Sequence, residues 1–92
     1  MKKVLVASGT SAHKLEFAVA YIRDYLEKKG KAAEIIGDNI YELKLEETKP
    51  DLIVTIGPVN FTTDIPLVPG TVFVTKIGME AVCDEIIGKL YK

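Results

Sequence analysis

With 92 residues and 10.1 kDa, the chain has room for one domain, 1–92, and size scaling gives roughly 5,300 Å² of folded surface against about 14,600 Å² unfolded. An apolar share of 48% with 27% charged residues excludes a disordered tail, and a net charge of -1 argues against a nucleic-acid partner held by bulk electrostatics. The single cysteine, Cys83, excludes an internal disulfide framework and a cysteine-based zinc cluster, and no apolar run approaches the ~18 residues of a membrane span.

Lys2 to Ala7 reads as a strand, a short apolar run buried on both faces if the sheet is parallel. Ser8, Gly9, Thr10 and Ser11 interrupt it with turn formers. A helix follows from about Ala12 to Lys29, with Leu15, Ala18, Val19, Ile22 and Leu26 at helical spacing and Arg23, Asp24, Glu27 and Lys28 opposite. Gly30 stops it. Ala32 to Ile36 is a second strand, Asp38 to Glu47 supplies one or two helical turns, and Leu52 to Ile56 is a third strand. A long Pro-punctuated loop runs to Gly70, and Thr71 to Val74 is a fourth strand. Met79, Val82, Cys83, Ile86, Ile87 and Leu90 repeat at helical spacing and define the closing helix.

This order implies βαβ units with right-handed crossovers. The expected fold is α/β, a three-layer open sheet of four parallel strands in the order 2-1-3-4, with helices on both faces. Cys83 falls on the apolar stripe of the last helix and reads as a buried, inert thiol. Ligands of open α/β sheets bind beyond the carboxyl ends of strands where the order reverses, which selects the loop Ser8 to Lys14. Gly9 allows close backbone approach, Thr10 and Ser11 offer hydroxyls, and the following helix aims its free N–H groups into the same space. A helix cap at Thr10 or Ser11 accounts for these residues equally well. Residues 1–31 are net basic and 32–51 net acidic. Solvated faces of opposite sign explain that asymmetry, and so does a basic side around the first loop that favours an anion.

Two stretches carry a family resemblance. Lys2-Lys3-Val4-Leu5-Val6-Ala7-Ser8-Gly9-Thr10 is one; Asp64-Ile65-Pro66-Leu67-Val68-Pro69-Gly70, with Phe73-Val74 and Gly78-Met79-Glu80-Ala81, is the other. The chain resembles enzyme IIB components of the bacterial phosphoenolpyruvate-dependent sugar phosphotransferase system, most closely the galactitol-type branch, over essentially its whole length. The resemblance implies a cytoplasmic phosphocarrier with the IIB fold, which is similar to that of low-molecular-weight tyrosine phosphatases. It implies two partners: a IIA phosphocarrier protein that donates a phosphoryl group, and a membrane IIC permease whose bound sugar receives it. It implies no cofactor and no metal, nor any insertion of this domain into the membrane.

The family's acceptor cysteine corresponds here to Ser8, with Gly9, Thr10, Ser11, Ala12, His13 and Lys14 as the phosphate-binding loop. A serine hydroxyl is essentially un-ionised at neutral pH, so Ser8 lacks the thiolate that makes such a loop nucleophilic. Three accounts remain: an engineered replacement, a natural relative that binds partners or phosphate without carrying a phosphoryl group, and a working serine with His13 as base. The first-turn position of His13 is that of a solvent-facing residue, which needs no role in the chemistry. Lys14 supplies charge without arginine's two-pronged fork. Asn60, Thr62, Thr63 and Asp64 belong to the long loop near the same edge, with Asp64 set against direct contact with phosphate. Phe61 and Ile65 are candidates for exposed partner-docking residues, or for side chains tucked beneath that loop.

Overall fold

Alternation along the first strand decides the layering. The computed structural model describes residues 2–9, 12–40, 45–57 and 63–91. Strand β1 (Lys2–Ser8) lies between β2 (Ala33–Asn39) and β3 (Leu52–Ile56), and β4 (Leu67–Pro69) flanks β3. All pairings are parallel, giving the order β2-β1-β3-β4 expected from the sequence. Val4, Leu5, Val6 and Ala7 are all fully buried, so β1 is covered on both faces, as a central parallel strand requires.

Val4 and Val6 face the main core, with Ile35, Leu52, Val54, Ile56 and Val68 from the other strands. Two helices cover this face: α1 (Ala12–Lys28) through Ala18, Ile22 and Leu26, and α4 (Met79–Leu90) through Cys83, Ile86 and Leu90. Burying each larger aliphatic side chain stabilises the fold by about 1.5–3 kcal/mol. Leu5, Ala7 and Ile53 face the other way and meet Ile36, Ile40 and Ile65. Lys3 shares that second face, and its Nζ donates to the carbonyl of Thr48 at 2.8 Å, the last residue of the short helix α2 (Leu45–Thr48). The Lys3 backbone N–H donates to Asp51 Oδ2, also at 2.8 Å. The described part of the β2–β3 connection, 45–51, therefore lies on the face opposite α1, as expected when right-handed crossovers run in opposite directions along the sheet.

Two expected elements differ. The second strand extends beyond Ile36 to Asn39, because β1 continues to offer partners as far as Ser8; of the one or two helical turns expected within Asp38 to Glu47, α2 forms one at Leu45–Thr48, and residues 41–44 lie outside the described residues. Gly37 serves the strand: a Cβ there would lie 2.8 Å from Val19 Cγ2 and 3.2 Å from Leu15 Cγ, so α1 packs directly onto its backbone.

The fourth strand is Leu67–Pro69, whereas Thr71 to Val74, expected as that strand, leads into helix α3 (Val72–Thr75). Gly70 ends the pairing by donating its N–H to the Thr55 carbonyl at 2.6 Å, and the chain then folds back with Phe73 N–H on the Gly70 carbonyl at 3.0 Å. The turn inserts Phe73, 1% exposed, against α1, its ring 5.9 Å from that of Tyr21. Burial of one aromatic ring outweighs the β propensity of a Thr-Val-Phe-Val run. Pro66 precedes β4 and uses only its carbonyl, which accepts from Ile53 N–H; with Gly70 N–H on Thr55, the even-numbered residues face β3, and Pro69 turns its missing donor outward, as an edge strand allows.

Two contacts fasten the ends of the helices. The Tyr25 hydroxyl donates to Asp84 Oδ1 at 2.7 Å, and the Tyr91 hydroxyl donates to the Ala32 carbonyl ahead of β2. Cys83 is fully buried, and desolvation, then Asp84 and Glu80, pushes its thiol up to about 12. The total accessible surface is 5484 Å², close to the value scaling gives for this mass. Among the described residues no helix is long and apolar enough to cross a membrane.

Candidate functional site

The sheet order reverses beside β1, so its carboxyl end faces the crevice where α/β folds hold ligands. Ser8 ends that strand, in register with Asn39 on β2 and Ile56 on β3. By alternation its side chain lies on the face of Val4 and Val6, the face that α1 covers. Its carbonyl accepts the Ile40 N–H at 3.0 Å, and at 2% exposure it is the buried polar residue among those described.

Gly9 forms a half-buried bend after the strand, and α1 begins at Ala12 with no acidic residue in its first turn. A strand end, a glycine bend and a helix start therefore follow one another within five residues, and the positive end of α1 lies beyond Ser8. Such an arrangement holds anions through backbone N–H groups. It does not by itself make the hydroxyl of Ser8 a nucleophile, which needs a base or a charge that lowers its pKa.

Of the other loop residues, Ala12, His13 and Lys14 are exposed on the first turn of α1. Thr10 and Ser11 lie outside the described residues, as do Asn60, Phe61 and Thr62. Ile65 is half-buried and packs on the second core with Leu5 and Ile53, its N–H bonded to Thr63 Oγ1 at 3.1 Å. It covers the second core from the β3–β4 connection, the tucked arrangement that the sequence also allowed. Asp64 is exposed.

Among the described residues the exposed large apolar ones are Leu67, Val74 and Ile77, and the last is 76% exposed. Val74 also lines an open depression of ≈ 300 Å³ with His13, Lys14, Phe17, Phe73 and Lys76. The Lys76 ammonium lies 5.0 Å from the centroid of the Phe17 ring. Sequence reasoning missed this setting because it read 71–74 as strand, and Val74 and Lys76 meet Phe17 only once that segment turns helical. Asn39 was missed because the strand was ended three residues short of it. Its polar character marks strand ends as readily as sites.

Among the described residues no group of three or more His, Cys, Asp or Glu side chains is placed to hold a metal ion. Compared with known proteins, the chain matches no family model and no curated protein.

Proposed function

We propose that this domain is a IIB-type component of a sugar phosphotransferase system in which Ser8 occupies the phosphoryl-acceptor position. The observation that carries the reading is the place of Ser8, at the carboxyl end of β1 where the strand order reverses and four residues before α1. The sequence resemblance at Lys2–Thr10 and Asp64–Gly70 gives that place its chemistry. In the proposed step a IIA phosphohistidine loses its phosphoryl group as the P–N bond breaks. The Ser8 oxygen takes the group, its proton passing to His13 or to solvent, and the N–H groups beyond Gly9 hold the equatorial oxygens. A IIC-bound sugar hydroxyl then receives the group and regenerates Ser8. The cytoplasm, where IIA and the inner face of IIC meet, is the compartment this requires.

A second reading is favoured by one observation, the 2% exposure of Ser8. A donor histidine must approach to within in-line distance of the acceptor oxygen, and a covered serine without an ionisable thiol suits a IIB-fold domain that binds partners or phosphate and transfers nothing. Incubating wild type and Ser8→Cys with phosphorylated IIA proteins, followed by intact-mass measurement, separates them. The carrier reading expects Ser8→Cys to gain one phosphoryl group. If Ser8→Cys gains the group and wild type does not, the scaffold is a carrier fold silenced at position 8. If neither gains it with any IIA tested, the carrier reading is wrong.

A further inference from the structure

Among the described residues, depressions beside α1 carry a carboxylate in three cases: Glu16 in the groove over Gly37, Glu80 beside Lys76 and Met79, and Asp24 with Glu80 beside Tyr25. Another, lined by His13, Lys14, Phe17, Phe73, Val74 and Lys76, has none among its described residues. Its apolar part is aromatic, with Phe73 fully packed beneath and Phe17 half-buried at the side. Its charged part is cationic and comes from two separate elements, Lys14 from α1 and Lys76 from the end of α3, with His13 beside Lys14. At ≈ 300 Å³ it has the volume of a small-molecule site for one ring with a short substituent.

Lys76 is held there at a conformational cost. It caps α3 in the left-handed region, φ 63°, with its N–H on the Val72 carbonyl at 2.7 Å. That position is ordinarily glycine's, because a Cβ disfavours it. The conformation and the contact with Phe17 bring the ammonium to the mouth of the depression.

We propose that this depression binds a small aromatic anion, a single ring bearing one carboxylate or phosphate group. The ring packs on Phe17 and Val74 above the buried Phe73, and the anionic group meets Lys76 and Lys14. Charge of one sign around an aromatic floor selects for both halves of such a ligand. The inference holds whether or not Ser8 accepts a phosphoryl group.

The test is a titration of ¹⁵N-labelled protein with benzoate and, separately, with phenyl phosphate, using inorganic phosphate and benzyl alcohol as controls. Saturable shifts at the amides of His13, Lys14, Val74 and Lys76 are expected with at least one of the two aromatic anions. A Kd on the order of 1 mM is expected for so few ligand atoms, and the two arms tell carboxylate from phosphate. Lys76→Gly is expected to weaken binding by roughly tenfold without lowering the melting temperature, since glycine accepts the left-handed conformation. Lys14→Gln gives the same comparison if the glycine variant melts lower. Three outcomes overturn the inference: no saturable shift at these amides with either aromatic anion, equal binding of inorganic phosphate or of benzyl alcohol, or wild-type affinity in both lysine variants. Shifts with phosphate confined to Gly9 and Ala12 belong to the Ser8 end and count against this site.

Discussion

Tyr25 on α1 and Asp84 on α4 are joined across the helix pair by a 2.7 Å hydrogen bond from phenol to carboxylate. The bond exists only while the phenol keeps its proton. It is the main reason the Tyr25 hydroxyl is pushed up from 10.0 to about 12, with desolvation and the charges of Asp84 and Glu80 adding to it.

A group whose pKa is raised by folding contributes stability that is complete below its unfolded pKa. Tyr25 therefore supports the helix pair fully below pH 10, and that support fades as the pH rises toward 12. Phenolate absorbance is expected to show a late-titrating tyrosine that Tyr25→Phe abolishes and Asp84→Asn returns toward 10. An unchanged titration in Asp84→Asn would mean that the bond does not set the shift.

Cys83 is expected to resist thiol reagents in the native protein, because its thiol is fully buried and its pKa is raised to about 12. Native protein should label only at the rate of global unfolding, whereas the thiol of Ser8→Cys should label faster through opening at Gly9. Cys83→Ser is expected to cost about 1–3 kcal/mol in urea denaturation, since it buries a hydroxyl with no designed partner. Rapid native labelling of Cys83 would contradict the packing of α4.

Gly70 and Gly88 make opposite predictions for the same substitution. A Cβ at Gly70 would lie 2.8 Å from Val54 Cγ1 and 2.9 Å from the Thr55 carbonyl oxygen, so Gly70→Ala must displace backbone. It is expected to destabilise by about 1–3 kcal/mol. Gly88 lies within α4 with nothing within 4 Å of that position, and Gly88→Ala is expected to stabilise by about 0.5–1 kcal/mol. Urea midpoints moving in the same direction for both would refute the β3–β4 packing or the α4 assignment.

Lys3 holds the second face through the Thr48 carbonyl. Lys3→Met keeps most of the aliphatic stem and removes the donor, and a loss of about 1 kcal/mol is expected. Amide exchange should accelerate around 45–51 and leave α4 unaffected. Uniform acceleration throughout the chain would show that the contact is not local.

The elements legible in the sequence were those with a clean period. Helices α1 and α4 announce themselves through Ala18, Ile22 and Leu26 and through Cys83, Ile86 and Leu90, and β1 and β3 through unbroken apolar runs, enough to give the sheet order. The errors lie where two physical rules conflict. Val72 to Thr75 has the composition of a strand, yet Phe73 reaches the core only if that segment turns helical. Pro66 and Pro69 discourage a strand, yet Pro66 leads into β4 through its carbonyl and Pro69 ends it with its missing donor on the unpaired side. At the site, Ser8 and Gly9 were legible from the strand-to-helix transition. Lys76 was not, because no residue pattern marks a lysine in a left-handed cap, and its approach to Phe17 depends on the fold of α3.

The outward-facing proline of β4 makes the two borders of the sheet unequal. On one border the strand is three residues long, with Pro69 presenting a ring where an incoming chain would seek a donor. On the other, β2 offers seven residues without a proline, guarded by the charge of Glu34. Sheet growth by an added strand, whether in a crowded folding mixture or by exchange between copies, is therefore channelled to the β2 border alone. A single proline at an outward-facing position of that border would close the molecule to strand addition on both sides.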